Sequence, residues 1–330
     1  MKYNFLYTSD SNYFNYMYLS IYSLLKNNDY PLTIHIIESG FTKEKNEKLE
    51  KLFNLYSSAT LKMYSIDKLK SIMDKYSIPK WRETDIANAR LFSSKIIDVD
   101  KILYIDSDTI VTSSLKDVFN TNISSPISAV REMNVPSYLV GRLESYYNSG
   151  VLLIDYGICD EIDLLRRLFD TLNKSSIQLI YPDQDLLNLT LSEQIGTLLP
   201  EYNINPLTYD MVFNYPIISK KYLEERFNTF YKREELIKSY QNPRIYHLLQ
   251  YIHTRPWVKN NVHVFNEIYD EYSKDLFGVV DKIKQYDEIY SILCSMNLFK
   301  TISVILEVTS LEERFKIKDK VKKIIYFNRK

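Results

Sequence analysis

Two carboxylates close an apolar run in the segment KILYIDSDTIV, residues 101–111. The residues from Ile102 to Ile105 are typical of a buried parallel strand, and Asp106 and Asp108 follow with one residue between them. In an extended segment residues i and i+2 point to the same side, so both carboxylates could face one cation. Hard oxygen ligands favour magnesium or manganese. The same letters also fit a polar turn with a helix cap in TSSL, and with the preceding strand the two interpretations fit the residues equally well.

Polar side chains also follow the strand predicted from NFLYTS at residues 4–9. Thr8, Asp10 and Asn12 offer the hydrogen bonds that a heterocycle or a ribose needs. An ordinary βα loop, with Asp10 or Asn12 as a helix cap, explains the same residues equally well.

Two further segments bring polar residues next to buried elements. In YYNSGVLLIDY, residues 146–156, three polar or small residues come just before an apolar run. In YPDQDLLN, residues 181–188, two acids lie at the start of a predicted helix. The residues concerned are Asn148, Ser149, Gly150, Asp183, Gln184 and Asp185. Acids near a helix N-terminus are favoured by the helix dipole, which is by itself a sufficient structural reason for Asp183 and Asp185.

The segment IYHLLQYIHTRPW, residues 245–257, supplies His247, His253, Arg255 and Trp257. A single histidine in an apolar strand is usually a core residue whose hydrogen bonds are satisfied. Here two of the four histidines of the chain lie beside a cation and an aromatic ring, which favours a site.

The elements that must position these residues alternate between strands and helices. Strands are predicted at residues 4–9, 32–39, 59–66, 101–105, 126–132 and 149–156, and helices at 12–26, 42–53, 84–96, 160–174 and 183–193. This alternation predicts βαβ units and a mostly parallel sheet, whose ligands bind at the carboxyl ends of the strands. Helical, charged segments dominate from residue 259 onward. We therefore expect a catalytic domain at 1–258 and a C-terminal helical extension at 259–330.

Bulk composition excludes several classes of protein. A hydrophobic content of 45% and a charged content of 25% are ordinary for a folded chain, and a net charge of zero gives no field that would recruit nucleic acid. Two cysteines fit neither a disulfide framework nor a zinc cluster and suit a reducing cytoplasm. No secretion signal and no run of eighteen apolar residues is apparent, so a cytoplasmic location is expected.

In their order along the chain, these segments resemble glycosyltransferase family 8, which includes glycogenin and bacterial lipopolysaccharide galactosyl- and glucosyltransferases. The resemblance covers roughly residues 3–260. It implies the α/β fold called GT-A: one Rossmann-like, mostly parallel sheet with helices on both faces and a D-x-D at the end of a central strand. It also implies retaining transfer of a hexose, glucose or galactose, from a UDP-sugar.

The resemblance implies a donor site built from separate strand ends. Thr8, Asp10 and Asn12 match the stretch that holds the uracil and ribose, and Tyr13 matches a stacking partner. Arg90, in NARLF, matches an arginine near the donor sugar and diphosphate.

The same resemblance assigns the metal and the sugar side. Asp106 and Asp108 match the D-x-D that holds manganese against the diphosphate, so Mn²⁺ is the expected cofactor, with Mg²⁺ as the alternative. Ser107, between them, is counted among the donor-binding residues. Glu132 falls where the family has an acid that contacts the donor or acceptor sugar, and Asn148 and Gly150 match an N-x-G stretch beside the sugar. Asp183 and Gln184 match a D-Q pair, whose acid binds donor-sugar hydroxyls and whose glutamine lies near the reacting face.

The C-terminal motif departs from the family's form, H-x-x-G-x-x-K-P-W, whose histidine completes the metal site and whose lysine meets the diphosphate. Arg255 stands in place of the lysine, and its guanidinium fork still suits a diphosphate. His247 lies ten residues before Trp257 rather than eight, and His253 lies four before it. We prefer His247 as the third metal ligand because it ends an apolar run and loops tolerate insertions. His253 is the alternative.

Charge dictates the expected mechanism. Departure of UDP leaves negative charge on the diphosphate, which manganese, Arg90 and Arg255 would stabilise. A glutamine is a poor nucleophile, so same-face attack by the acceptor hydroxyl is preferred, with Asp183 or Asp185 as nucleophile in the alternative. A non-catalytic nucleotide-sugar or glycan-binding scaffold is the alternative from another class. A sugar-1-phosphate nucleotidyltransferase is a less favoured alternative, since residues 7–13 contain neither glycine nor arginine.

The acceptor implied is a glycan, glycolipid or glycoprotein. Residues 314–330 carry many lysines and arginines interleaved with apolar residues. This pattern fits a surface helix on anionic lipid at the inner face of the membrane and equally a helix docked on the protein with a solvated basic face.

Overall fold

The computed structural model describes residues 3–81, 84–121, 124–132, 137–139, 141–174, 179–214, 231–250, 254–259, 261–280 and 282–283. His253 and the basic segment 314–330 lie outside these residues. The chain divides into two compact units, the first of residues 1–132, 143–204 and 233–247 and the second of residues 133–142, 205–232 and 248–330. The expected division at residue 258 into a catalytic domain and a helical extension stays a prediction.

The first unit is built on a seven-stranded sheet with the order β3-β2-β1-β4-β7-β6-β8 and a two-stranded sheet of β5 and β9. The strands are β1 Tyr3–Asp10, β2 Leu32–Ser39, β3 Ala59–Ser65, β4 Lys101–Ile105, β5 Thr109–Val111, β6 Ile127–Arg131, β7 Tyr147–Asp155, β8 Gly196–Thr197 and β9 Ile245–His247.

Helices connect these strands in the first unit. They are α1 Phe14–Lys26, α2 Lys43–Phe53, α3 Lys70–Tyr76, α4 Lys116–Phe119, α5 Tyr156–Glu161, α6 Leu164–Lys174, α7 Pro182–Leu191 and α9 Arg233–Gln241. Short 3-10 helices cover Ile66–Lys68, Ile86–Lys95, Ser192–Gln194 and Pro200–Tyr202.

Helices α8 Pro206–Asn214 and α10 Asn266–Phe277 and a 3-10 helix at Ser137–Leu139 belong to the second unit. Helix α10 ends at Gly278, whose φ of 72° lies in the left-handed region that glycine adopts without strain. Across both units, no helix in the described part of the chain combines the length and the apolar character needed to cross a membrane.

The predicted mostly parallel sheet is confirmed. Strand β1 pairs in parallel with β2 and β4, β2 pairs in parallel with β3, and β6 with β8. The inner strands are apolar almost throughout because the sheet is covered on both faces. Phe5, Ile34 and Leu103 are fully buried there.

Strand β7 is the exception, since it runs antiparallel to both β4 and β6. A parallel partner for β6 would need a crossover connection, usually a helix, and no α-helix is described in the interval 132–146. The reversal brings the amino end of β7 beside the carboxyl end of β4, where the N–H of Asp106 donates to the carbonyl of Gly150 at 2.8 Å. The N-x-G segment therefore reaches the D-x-D through strand pairing.

The helix predicted at 84–96 forms as a 3-10 helix, Ile86–Lys95. Within it the Nε of Arg90 donates to the carbonyl of Ala87 at 2.8 Å. An α-helix would use that carbonyl for the N–H of Leu91. The tight segment holds Arg90 in a buried position that faces the end of β4.

Candidate functional site

Three metal-ligand side chains meet at the carboxyl edge of β4. Asp106 follows β4 directly, and Asp108 precedes β5. Strand β5 pairs antiparallel with β9 in a register that sets Thr109 opposite His247. The ladder therefore delivers the histidine to the two acids from a distant part of the sequence.

The geometry of this group suits a divalent cation. The Nε2 of His247 lies 3.3 Å from Oδ1 of Asp108 and 3.6 Å from Oδ2 of Asp106. One ligand atom from each of the three residues lies within 4.8 Å of the others. The histidine side chain is 1% exposed, whereas Asp108 is 11% and Asp106 is 23% exposed, so the group opens to solvent on the side of the acids.

The ring nitrogens of His247 differ in their surroundings. Nδ1 lies 2.9 Å from the Oδ1 of Asn203, whereas the buried Nε2 makes no hydrogen bond to any described residue. Buried polar atoms rarely lack a partner, and a ring nitrogen directed at two carboxylates is stabilised when a cation lies between them. The donor set of one imidazole and two carboxylates thus fits a metal ion.

Arg90 supplies a permanent positive charge beside the acids. Its Nη1 lies 3.2 Å from Oδ1 of Asp106 and donates to the carbonyl of Ser149 at 2.6 Å, and its Nε lies 3.5 Å from Oδ2 of Asp183. Burial alone would lower the pKa of the guanidinium, but the carboxylates of Asp106 and Asp183 outweigh it and raise that pKa above its usual value. Arg90 therefore stays charged at any physiological pH.

Tyr104, two residues before Asp106, lies on the same side of β4 as Asp106 and links β4 to β1. Its hydroxyl donates to Oδ1 of Asp106 and lies 3.2 Å from the Oγ1 of Thr8, and its ring lies 4.2 Å from the guanidinium carbon of Arg90. The Ser107 hydroxyl donates to the carbonyl of Thr8 at 3.0 Å. The ends of β1 and β4 are therefore fixed to each other.

The pKa of the Asp106 carboxyl is raised above its ordinary value, mainly because the group is desolvated in the site. The charge of Arg90 opposes this shift, and the neighbouring charge of Asp108 adds to it. A cation shared by both acids would remove their mutual repulsion, so the electrostatics also favour one.

The loop after β1 is ordered by its own acid. The Oδ1 of Asp10 accepts hydrogen bonds from the N–H groups of Asn12 at 2.9 Å and Tyr13 at 3.0 Å. Asp10 therefore orders the loop, but the predicted helix cap at Asp10 or Asn12 is wrong, since Tyr13 is the N-cap residue of α1 and no side chain caps the helix. The Tyr13 ring contacts Tyr16 edge to face, at 5.2 Å between ring centroids.

The N-x-G segment lies directly behind His247. The Oδ1 of Asn148 accepts from the N–H of Gly150 at 2.8 Å, and its Nδ2 donates to Oε2 of Glu132 at 2.9 Å. A Cβ atom at Gly150 would lie 2.1 Å from the Cε1 of His247, so only glycine leaves room for the ring.

Asp183 and Gln184, at the start of α7, pack against the same segment of β7. The Ser149 hydroxyl donates to Oδ2 of Asp183 at 3.0 Å, and the Ser149 N–H donates to Oε1 of Gln184 at 2.9 Å. The Nε2 of Gln184 donates to the Tyr146 hydroxyl at 2.9 Å. Both ends of the glutamine amide are thus engaged within the fold.

The next acid along α7, Asp185, is fully buried with both carboxylate oxygens occupied. Oδ1 accepts from the Tyr146 hydroxyl at 2.5 Å, and Oδ2 accepts from the N–H groups of Ile180 at 2.8 Å and Tyr181 at 2.9 Å. This carboxylate stabilises the start of α7 and leaves no free oxygen for an attack on a sugar.

Arg255 belongs to the second unit, where its contacts are local. Its Nη1 donates to the carbonyl of Leu248, and its guanidinium carbon lies 5.3 Å from the centroid of the Trp257 ring. Its predicted contact with the donor diphosphate stays a prediction, as do the roles assigned to the other site residues.

Sequence reasoning missed several residues of the site. Tyr104 had a usable signal, because two-residue spacing in a strand places it on the same side as Asp106. Tyr146 and Asn203 had none, since a tyrosine outside the strand pattern and an asparagine in YNINP resemble many others in this chain. Their importance depends on contacts across long sequence separations.

Comparisons with known proteins place the chain among relatives of known class. The family model described as glycosyl transferase family 8 matches residues 4–261. A Haemophilus influenzae protein whose name classes it as a glycosyltransferase is 28% identical over 220 residues, covering 63% of this chain and 65% of the relative. The lipopolysaccharide 1,2-glucosyltransferase of Escherichia coli is 31% identical over 208 residues, covering 59% of this chain and 60% of that enzyme. The matches thus span less than two thirds of the length of each relative.

Among solved structures, the galactosyltransferase LgtC in complex with donor and acceptor sugar analogues superposes with a TM-score of 0.63. The match covers 82% of this chain and 95% of LgtC. At 18% sequence identity, this likeness concerns the fold, a central mostly parallel sheet surrounded by helices.

Proposed function

The chain belongs to glycosyltransferase family 8, and from this premise we propose that it is a retaining hexosyltransferase that moves glucose or galactose from a UDP-sugar to a glycan acceptor. The single observation that carries the proposal is the group of Asp106, Asp108 and His247 at the end of β4, with the Nε2 of the histidine left without a hydrogen bond among the described residues. A UDP-sugar presents a diphosphate, the ligand that such a metal site binds.

The metal that we propose is Mn²⁺. Two carboxylate oxygens and one imidazole nitrogen make a mixed donor set, which suits Mn²⁺ better than Mg²⁺, an ion that favours oxygen ligands and retains its waters. When bound, the ion would neutralise charge on the diphosphate as UDP departs. Arg90, buried and permanently charged, supports the same task from the fold itself.

The nucleotide half of the donor would occupy the end of β1. In this proposal Thr8, Asp10 and Asn12 hold the uracil and ribose, and Tyr13 stacks on the base. Because Oδ1 of Asp10 already orders the loop, we assign the ribose contact to its Oδ2 atom. The bond from Ser107 to the Thr8 carbonyl keeps this half at a fixed distance from the metal ligands.

The sugar would lie between Arg90 and the start of α7. Asp183 is positioned by Arg90 and Ser149 to accept hydrogen bonds from sugar hydroxyls. The amide of Gln184 is held at both ends, and the carboxylate of Asp185 is fully occupied, so neither supports a covalent intermediate. We assign Asp183 to the sugar hydroxyls rather than to a covalent intermediate and propose same-face attack, in which the acceptor hydroxyl transfers its proton to the departing phosphate and the product is an α-glycoside.

A panel of UDP-sugars tests this function. Purified protein with Mn²⁺ should release UDP from UDP-glucose or UDP-galactose, and EDTA should abolish the release. Asp106→Ala and Asp108→Ala should lose it, while Asn28→Leu, a change at a buried amide just past the C-terminal end of α1, should retain it. Absence of release with every donor would contradict the proposal, and a β-linked product by proton NMR would contradict retention.

We also propose a cytoplasmic enzyme whose acceptor is a glycan, a glycolipid or a glycoprotein, with residues 314–330 contacting anionic lipid at the inner face of the membrane. The interleaving of basic and apolar residues in this segment is what supports the lipid contact. The full chain should sediment with vesicles of anionic lipid and not with vesicles of neutral lipid, whereas a version that ends at residue 310 should sediment with neither. Equal sedimentation of the two proteins would contradict the lipid contact.

A further inference from the structure

We propose that Asn203 is a positioning residue that fixes the tautomer of His247, and that Asn148 and Gly150 transmit the required orientation to it. The N-x-G segment then acts on the metal site as well as on a sugar. The inference rests on the proposed function only in taking His247 as a metal ligand.

The orientation of the Asn148 amide follows from two neighbouring groups whose hydrogen-bond roles are fixed. The backbone N–H of Gly150 can only donate, and it points at one end of the Asn148 amide at 2.8 Å. That end must be Oδ1. The other end faces a carboxylate oxygen of Glu132 at 2.9 Å. An ionised carboxylate can only accept a hydrogen bond, so this end of the Asn148 amide must be the NH₂ group.

The orientation of Asn148 determines that of Asn203. The Oδ1 of Asn148 can only accept, so the Asn203 atom 2.8 Å away is the NH₂ group and its Oδ1 points at the imidazole. That oxygen lies 2.9 Å from the Nδ1 of His247 and can only accept in turn, so Nδ1 carries a proton. The neutral ring therefore has its lone pair on Nε2, the atom that faces Asp106 and Asp108.

Backbone contacts hold Asn203 in place for this task. Its neighbour Ile204 donates its N–H to the carbonyl of Ile245 at 2.9 Å and accepts from the N–H of His247 at 3.2 Å. Asn203 is thereby fixed to β9, the strand that carries the histidine. Asn203 is 4% and Asn148 is 9% exposed, so bulk water has little access to replace either amide.

Gly150 adds a steric condition to the same arrangement. A Cβ atom there would lie 2.7 Å from the Nδ1 of His247 and 2.9 Å from the Oδ1 of Asn148, besides its clash with Cε1. The glycine lets the main chain that orients Asn148 lie directly against the imidazole. Outer partners that orient a ligand histidine commonly change metal affinity by about 10- to 100-fold.

The first test reads the tautomer directly in the metal-free wild-type protein. Nitrogen-15 NMR at pH 9 distinguishes the two neutral forms, and the chain has only four histidines, so His247→Gln identifies the signal. We expect His247 as the Nδ1–H form. The Nε2–H form in the wild type would overturn the proposal without any need for a variant.

The second test measures Mn²⁺ affinity, by electron paramagnetic resonance of free Mn²⁺ in the presence of UDP. We expect Asn203→Leu to weaken binding by about 10- to 100-fold and to admit the other tautomer. Asn203→Asp still accepts from Nδ1 but no longer donates to the Oδ1 of Asn148, so it should keep the Nδ1–H form and lose less affinity than Asn203→Leu. The matched control is Asn28→Leu, which removes another buried amide, one that accepts from Leu115 and Tyr30 and donates to Leu24.

Unchanged Mn²⁺ affinity in Asn203→Leu, with the Nδ1–H form retained, would overturn the inference. Equal losses in Asn203→Leu and Asn28→Leu would also overturn it, because the effect would then be one of general stability. A wild-type protein that shows the expected tautomer but binds no Mn²⁺ would instead contradict the proposed metal site, so the two failures can be told apart.

Discussion

Two buried histidines on strands of the first unit, His35 in β2 and His247 at the end of β9, differ in what their ring nitrogens contact. The Nδ1 of His35 lies 3.2 Å from the Tyr64 hydroxyl, and its Nε2 lies 3.2 Å from the Oδ1 of Asn4. His247 has one such partner, Asn203, and its second nitrogen faces two acids. A neutral imidazole has one N–H and one lone pair to satisfy. The fold supplies a partner for each ring nitrogen of His35, whereas the Nε2 of His247 has none among the described residues and faces the two acids, where we propose a cation.

Position in the sheet explains the difference. His35 lies within β2, between β1 and β3, where every neighbour is part of the fold. His247 ends its strand at the edge where the D-x-D emerges, so one side of the ring is left to the ligand. A buried histidine at a strand end is therefore a candidate metal ligand when one of its ring nitrogens has no hydrogen-bond partner. Burial by itself does not distinguish a ligand histidine from a core histidine.

The largest effect is expected from exchanging each histidine for glutamine. His247→Gln should reduce Mn²⁺-dependent UDP release by about 100- to 1,000-fold, since it removes a metal ligand from the site that stabilises the leaving group. His35→Gln should leave the release unchanged at a temperature where it is folded. Steady-state rates with UDP-glucose and UDP-galactose measure both. A similar loss in the two variants would remove the distinction between the histidines.

The next effect concerns the space around His247. Gly150→Ala should weaken Mn²⁺ binding by about 10-fold or more, because the new methyl group would displace the imidazole. Gly157→Ala is the matched control, since a Cβ atom there meets only the Oδ1 of Asp155 at 3.4 Å. Titration calorimetry with Mn²⁺ and UDP provides the affinities. Equal affinities in the two alanine variants would show that the ring is not confined as described.

His35 should make stability depend on pH. Burial, with a smaller effect of the Lys62 charge, lowers the pKa of its imidazole to about 4. The unfolded chain binds a proton near the ordinary value of 6.5, so the free energy of unfolding falls as the pH decreases from about 6.5 towards 4. The loss attributable to this residue should be about 1.6 kcal/mol between pH 6.5 and pH 5.

Urea unfolding of the wild type and His35→Gln at both pH values measures this contribution as a difference. The variant should be less stable than the wild type at pH 6.5 and should lose less stability than the wild type between pH 6.5 and pH 5. Parallel pH profiles would show that the imidazole does not titrate within the folded state as described.

The smallest effect is expected from Tyr64→Phe, which deletes one partner of His35. An unsatisfied ring nitrogen should cost about 1 kcal/mol, because Tyr64 is only half-buried and water can replace part of its bond. Mn²⁺ affinity should not change, in contrast to Asn203→Leu, which deletes the corresponding partner of His247. A change of metal affinity in Tyr64→Phe would mean that the two histidines are coupled.

Much of the fold could be predicted because it depends on local patterns. Strand β2 begins and ends where the apolar run of residues 32–39 does, and the Asp106–Asp108 pair identifies itself by following a buried strand. The direction of β7 could not be predicted, because an apolar run carries no sign of whether its neighbour is parallel. The 3-10 geometry around Arg90 depends on a side-chain bond that periodicity does not encode.

The site was only partly predictable for a related reason. The pair within one strand end could be found, but His247 was preferred over His253 on an argument about loops, and the register of β5 with β9 is a property of pairing between distant segments. Asn203 acts through hydrogen bonds to residues 55 and 44 positions away, so no spacing in the sequence reveals it.

The three proposed metal ligands, Asp106, Asp108 and His247, are held by two different sheets. Asp106 directly follows β4 of the seven-stranded sheet, whereas Asp108 directly precedes β5 and His247 ends β9 of the two-stranded sheet. The two-stranded sheet is anchored to α1, because the Ser20 hydroxyl lies 2.6 Å from the Oγ1 of Thr109 and the N–H of Val111 donates to the Ser23 hydroxyl at 2.8 Å. The boundary between the two sheets therefore falls within the D-x-D, between Asp106 and Asp108. A metal ion bound by Asp106, Asp108 and His247 would link the two-stranded sheet to the seven-stranded sheet. Metal binding should therefore slow amide hydrogen exchange in β5 and β9 more than in β2 and β3.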